Sequence, residues 1–206
     1  MSDRGNSLVS EDEVDVERRR FLITTTAGVG TVGAIAAAVP FVSSFQPSER
    51  AKAVGAPIEI DISKLEPGQR VIEKWRGKPV WVVRRSKETL EALKGMSDLL
   101  ADPDSVDIGQ QPEYAQNASR ASNSEYLVVL GICTHLGCSP TYLPEGTPHT
   151  LGPDWQGGFF CPCHGSKFDL AGRVYKSVPA PKNLLVPPYQ FLSETLLLVG
   201  QDGVKS

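Results

Sequence analysis

Apolar and polar residues alternate along this chain in three different ways. Near the start no charged residue occurs from Phe21 to Ser48, a run of 28 residues that follows Arg18, Arg19 and Arg20. About 20 such residues cross a bilayer as a helix, so the run is long enough for a membrane span, read as residues 17–45. It is only mildly greasy: 14 of the 25 residues from Phe21 to Phe45 are Gly, Ala, Ser or Thr. Small residues allow close helix packing inside a membrane. Residues 1–16 carry Glu11, Asp12, Glu13 and Asp15 and read as a disordered cytoplasmic tail. Residues 46–57 hold Pro47, Gly55 and Pro57 among alanines and read as a flexible hinge.

Beyond the hinge the period shortens to two. Ile58, Ile60 and Ile62 alternate with Glu59 and Asp61, the pattern of a half-buried strand. Glu66-Pro-Gly-Gln69 marks a turn into a strand over Arg70–Arg76, and Gly77-Lys78 a second turn into Val80–Arg85. Ser86 is placed to cap a short helix with Leu90 and Leu93 on its apolar face and Gly95 at its end. Residues 102–124 are polar and irregular. Tyr126–Ile132 and Gly157–Phe160 are apolar runs, and Tyr189–Leu192 with Thr195–Val199 predicts a closing hairpin. About 150 residues remain after the tail and span, enough for one well-buried domain. With 21 basic against 24 acidic residues and a net charge of −3, nothing points to nucleic acid.

The candidate chemistry sits where two apolar runs end: Cys133-Thr-His135-Leu-Gly-Cys138 and Cys161-Pro-Cys163-His164-Gly-Ser166. All four cysteines lie in these boxes. Two thiolates and two imidazoles suit a zinc ion or a two-iron cluster with one iron held by His. A zinc site leaves one extra Cys in each box unexplained; a pair of structural disulfides leaves the histidines incidental. His149, the third histidine, lies outside both boxes in a Pro/Gly-rich stretch and reads as a solvated loop residue.

The boxes resemble those of Rieske iron–sulfur proteins, and the chain from the arginines to the closing hairpin resembles the Rieske subunits of bacterial cytochrome bc complexes. The resemblance implies a mainly β fold. It comprises a single N-terminal transmembrane helix and a Rieske-type antiparallel β domain, whose base (residues 58–125 and 184–206) carries an inserted cluster-binding subdomain (residues 126–183). It also implies one 2Fe–2S cluster, with Cys133 and Cys161 on one iron, His135 and His164 on the other, and Cys138 paired with Cys163 in a disulfide. Ser166, Phe168, Gly137 and Pro179 would surround the ligands. Phe168 stands where many relatives have a tyrosine that donates to a ligand sulfur. Val178-Pro-Ala-Pro181 resembles the family's covering loop, except that many relatives have Gly before the first proline.

Two ferric ions, two sulfides and two thiolates sum to zero charge, where four thiolates would leave the cluster dianionic. Exchanging two Cys for two His therefore raises the potential by several hundred millivolts. A site of this kind takes an electron together with a proton, as oxidation of a quinol requires. The implied function is the iron–sulfur subunit of quinol–cytochrome c oxidoreductase, with cytochrome b and a c-type cytochrome as partners in a dimeric complex. Quinol would meet His164 and Leu136.

Arg18 and Arg19, followed by Phe21-Leu22, resemble a twin-arginine export signal. They would stay on the cytoplasmic side of the inner membrane, with the cluster domain periplasmic. A signal peptide cut near Ala51-Lys-Ala53 is the competing reading of this segment. An electron-relay small subunit of a periplasmic molybdenum oxidase such as arsenite oxidase is the competing function.

Overall fold

The computed structural model describes residues 15–146 and 151–202. The expected disordered tail, apart from Asp15 and Val16, and the solvated-loop reading of His149 lie outside the described residues. The chain divides into two compact units that meet at Arg50.

In the first unit, α1 runs over Val16–Ser44. The Asp15 carboxylate accepts from the Glu17 and Arg18 N–H groups, satisfying two donors that no helical carbonyl can reach. Thr24 and Thr31 donate their hydroxyls back to carbonyls one turn earlier. Such internal satisfaction is what an apolar solvent demands of a polar side chain. None of the helix's residues is buried, although its mean hydropathy reaches 1.7. Exposed Phe21, Ile35 and Phe41 in water would oppose folding, so the helix belongs in a lipid or protein surround.

The expected hinge is not extended throughout. A short helix, α2, occupies Glu49–Gly55. The alanines that read as linker composition are also the strongest helix formers, and Gly55 and Pro57 then stop the helix. Just beyond it the Ala56 carbonyl accepts from the Trp75 indole N–H at 3.1 Å.

The second unit is antiparallel β throughout. β1 (Ile58–Asp61), β9 (Leu196–Val199) and β8 (Tyr189–Phe191) form one sheet in that order. The first and last strands of the domain are therefore neighbours. A second sheet orders β2 (Arg70–Trp75), β3 (Lys78–Arg84) and β4 (Tyr126–Leu130), and a third β5 (Thr141–Leu143), β6 (Gly158–Cys161) and β7 (Ser166–Phe168). β4 was grouped with the inserted subdomain on sequence. It pairs with β3 from Val80↔Leu130 to Arg84↔Tyr126 instead. The boundary drawn at Tyr126 therefore falls within the β2–β4 sheet. β3 and β4 read as near-continuous apolar runs because both of their faces are buried along most of their length.

One core cluster joins all three sheets, with Ile60, Val80, Trp81, Val128, Phe159, Phe168 and Leu197 nearly or fully inaccessible. A second cluster, with Leu93, Leu100, Trp155 and Tyr175, lies beneath α3 (Lys87–Lys94). Helix α3 has the expected caps: Ser86 accepts from the Thr89 N–H, and Gly95 ends it.

The irregular stretch 102–124 is packed rather than solvated, with Ser105, Ala115, Arg120 and Ala121 buried. Its Tyr114 hydroxyl donates to the Tyr189 carbonyl and accepts from the Tyr189 N–H, 2.9 and 2.8 Å away. These two bonds fasten the loop to β8. A Tyr114→Phe variant should lose about 1–2 kcal/mol, because a buried donor and acceptor are left unmade. A urea titration of the Tyr114→Phe and parent proteins measures this, and an unchanged midpoint would mean that the pair contributes nothing.

Candidate metal centre

The first box begins where β4 ends. Gly131 is required there: a Cβ would lie 2.0 Å from the Trp81 ring, so only glycine lets the chain leave the sheet across that indole. The Gly131 N–H donates to the Pro79 carbonyl. The box then closes on itself. The Cys133 N–H donates to the Cys138 carbonyl at 2.7 Å, and the Gly137 N–H donates to the Cys133 carbonyl at 3.0 Å. Gly137 turns the loop with φ at +84°, a conformation costly for any residue with a Cβ.

The second box is the hairpin between β6 and β7. Cys161 pairs across from Ser166, the Gly165 N–H donates back to the Cys161 carbonyl at 2.9 Å, and Gly165 has φ of +78°. Phe159 of β6 stacks on Trp81, with ring centroids 5.4 Å apart. The same indole therefore supports both boxes.

Cys138 and Cys163 form a disulfide, with Cα atoms 6.8 Å apart and 25 residues between them in sequence. It ties the two loops on their outer side. Cys133 and Cys161 remain free and buried. The Cys161 sulfur lies within 4.8 Å of both disulfide sulfurs, but two of those three atoms are bonded to each other and do not form a metal cage.

Burial pushes the Cys133 thiol pKa up. The His135 N–H works against the shift, the neighbouring Cys161 thiol adds to it, and the Ser166 hydroxyl works against it. His135 and His164 meet edge to face with ring centroids 4.7 Å apart. His164 is exposed, while His135 is half-buried and its Nδ1 is enclosed without a hydrogen-bond partner. Leaving such an atom unpaired costs about 1–3 kcal/mol, unless a metal takes it. Two buried thiols and two facing imidazoles, one nitrogen already stripped of water, fit a thiolate- and imidazole-held metal group.

The proline-rich loop reaches the site through residues that the sequence did not single out. The Ala180 N–H donates to Ser166 Oγ at 3.0 Å, leaving the Ser166 hydroxyl hydrogen free to point at a sulfur. Thr134, inside the first box, donates to the Lys182 carbonyl at 2.6 Å. Pro179, named from the resemblance, is exposed, and the contact falls to its neighbour. Without a glycine before the proline, Ser177 takes the left-handed turn at φ of +57°, and Val178 packs half-buried against the core. Phe168 is buried opposite Phe159. Leu136 is 70% exposed at the tip of the first box. Arg18 and Arg19 are exposed in the first turns of α1.

The family described as Rieske [2Fe-2S] domain matches residues 97–190, and that described as ubiquitinol-cytochrome C reductase Fe-S subunit TAT signal matches residues 9–48. The chain is 58% identical over 194 residues to a ubiquinol-cytochrome c reductase iron-sulfur subunit of Allochromatium vinosum, covering 94% of this chain and 93% of that one. Subunits of the same name match from Blastochloris viridis, at 42% identity over 94% of this chain and 98% of theirs, and from Bradyrhizobium diazoefficiens, at 40% identity over 89% and 94%.

If the disulfide is the outer clamp, Cys138→Ser or Cys163→Ser should each destabilise the metal-free protein by about 3–4 kcal/mol, the chain-entropy cost of reopening a loop this long. The double variant should lose no more than either single one. Urea midpoints under oxidising conditions measure this, and additive losses would show that the two sulfurs act separately.

Proposed function

The chain belongs to the Rieske iron–sulfur subunits of ubiquinol–cytochrome c reductase, and on that premise we propose how its residues divide the work. The subunit carries one Rieske-type 2Fe–2S cluster and serves electron transfer from quinol as part of an oxidoreductase complex, not alone. Its apolar helix and export signal fit a single-pass membrane anchor. When bound, the cluster supplies a one-electron acceptor of raised potential, because neutral imidazoles replace two thiolates on one iron.

Cys133 and Cys161 would hold one iron, and His135 and His164 the other. The observation that carries this assignment is the enclosed, unpartnered Nδ1 of His135, set edge-on to His164 beside two buried free thiols. The burial gradient supports the same direction, since both thiols are inaccessible while His164 is open to solvent. Exposed His164 would be the group that takes the quinol proton, and exposed Leu136 would give the headgroup an apolar wall. Ser166, fixed by the Ala180 N–H, keeps its hydroxyl hydrogen for a sulfur and favours the reduced form.

Cytochrome b receives the second quinol electron, and a c-type cytochrome accepts the electron from this subunit, within a dimeric complex. Arg18, Arg19 and Arg20 stay cytoplasmic and the cluster unit is periplasmic, where a disulfide persists. Residues 46–57, including α2, let the cluster unit change position between its two partners.

Three measurements test these assignments. Dithionite-reduced membranes should give an EPR spectrum of low average g-value that shifts when a quinol-site inhibitor is added; an unshifted signal would separate quinol chemistry from the cluster. A His164→Cys cluster, if assembled, should be too reducing to take electrons from quinol, and turnover at the parent rate would end the assignment. Phe168→Tyr should raise the midpoint potential by supplying a donor to a ligand sulfur, whereas equal voltammetric midpoints would show that no such bond forms.

A further inference from the structure

Three arginines are almost completely buried beneath the cluster-binding sheet: Arg85, Arg120 and Arg173, with side chains around the turn that follows β7. Charged side chains are seldom fully buried unless paired, and these three differ in how they are paired. Arg173 is bonded to the Asp169 carboxylate at 2.7 Å. Arg85 donates to the Ser119, Ser124 and Leu170 carbonyls. Arg120 donates to the Ala171, Gly172 and Gln110 carbonyls and to the Gln111 side-chain oxygen. Neither Arg85 nor Arg120 has a carboxylate bonded to it among the described residues.

Arg120 is also the most tightly built in. It is inaccessible, its backbone has φ of +50°, and a Cβ on Gly172 would lie 3.2 Å from its guanidinium. A left-handed backbone at a non-glycine residue persists only where the surroundings hold it there. With Asp169 and half-buried Asp102 the nearest anions, three cations face two carboxylates, which leaves the buried group net positive. Burial lowers the Arg120 pKa to about 10, against the pull of Asp169 and Asp102, so the cation survives at neutral pH.

The turn lies close to the metal centre. Ser166 and Asp169 are the two ends of one short extended segment, so the charged group begins about 10 Å from Ser166 at ~3.3 Å per residue. We propose that Arg120 is a positioning residue for the redox chemistry: a fixed, buried cation that holds the 169–173 turn and biases the centre above it toward its reduced, more negative state. The inference rests on the metal-centre assignment above. Surface lysines cannot take this role, because salt screens them while a buried charge is screened much less. Taking about 10 Å of extended segment plus about 5 Å of side-chain reach as the separation, a unit charge at an effective dielectric of about 20 changes such an equilibrium roughly five- to sevenfold.

The test is an EPR-monitored redox titration of the full-length protein in its membranes, comparing the parent with Arg120→Gln and Arg120→Lys. Lysine keeps the positive charge but loses the guanidinium fork that reaches several carbonyls. Arg120→Gln should lower the oxidised-to-reduced balance point about five- to sevenfold, or about 40–50 mV at 59 mV per tenfold, equally at 0.05 and 1 M KCl. Arg120→Lys should remain near the parent value.

An unmoved Arg120→Gln midpoint overturns the proposal, and so does a shift that vanishes in salt. A Lys variant that falls as far as the Gln variant also overturns it, because the residue would then act through its hydrogen bonds alone. Should Arg120→Gln fail to accumulate, Arg85→Gln and Arg85→Lys put the same question to the other cation without a carboxylate partner. Absence of the signal from the parent membranes would instead count against the metal-centre assignment.

Discussion

Two buried thiols must be kept out of a disulfide and a buried imidazole nitrogen kept without a donor, and the architecture around the boxes follows from that constraint. Side chains left to themselves collapse onto nearby donors and acceptors, since an unmade buried hydrogen bond is expensive. The chain prevents collapse by tying each loop through its backbone. The first box is closed by the Cys133 N–H on the Cys138 carbonyl, the second by the Gly165 N–H on the Cys161 carbonyl. The proline-rich loop is held by the Ala180 N–H on Ser166 and by Thr134 on the Lys182 carbonyl. With the backbone fixed and the outer cysteines bonded to each other, Cys133 and Cys161 stay free of disulfides and His135 Nδ1 stays without a hydrogen-bond partner.

The rigid support lies below. Trp81 carries both boxes, one through the cleared space at Gly131 and the other through stacking on Phe159. It stands on β3, the central strand of its sheet, which is buried on both faces from Val80 to Val83. The residues that look least like a scaffold complete it. The polar stretch 102–124 packs inward and sends Arg120 into the turn beyond β7, while Asn183 bonds both the Val174 N–H and the Asp102 carbonyl. The second-box turn, the proline-rich loop and the irregular segment are therefore one hydrogen-bonded body.

The parts legible in the sequence were those governed by local rules. Ile58, Ile60 and Ile62 announce β1 by alternation, Ser86 and Gly95 bracket α3, and the two boxes mark where the cysteines and two histidines gather. The missed parts depend on partners distant in sequence. Ser166-Lys-Phe168 is a strand only because β6 lies beside it, and Thr141–Leu143 likewise has no pattern of its own. β4 adjoins the first box in sequence, so it read as part of the insert, yet its hydrogen bonds go to β3. The alanines of the supposed linker suit a flexible chain and a helix equally, and composition gave no reason to prefer the helix. Arg120 carried no signal at all, because a buried cation looks like a surface one until the carbonyls around it are in view.

Burial also divides the site into two sides with different physical demands. The thiol side is shut: Cys133 and Cys161 sit in the common core beside Phe159 and Phe168, each only 2% exposed. The imidazole side is open, with His164, Cys163 and Leu136 exposed. A centre that passes electrons between large partners needs this asymmetry, since transfer requires one edge close to the donor while the rest is insulated. Proton exchange needs that same edge to be wet. Placing the low-charge imidazoles outside and the anionic thiolates inside would cost solvation energy in an ordinary apolar core. A 2Fe–2S group of zero net charge would keep that cost small, because its ferric charge balances the two thiolates that would hold it.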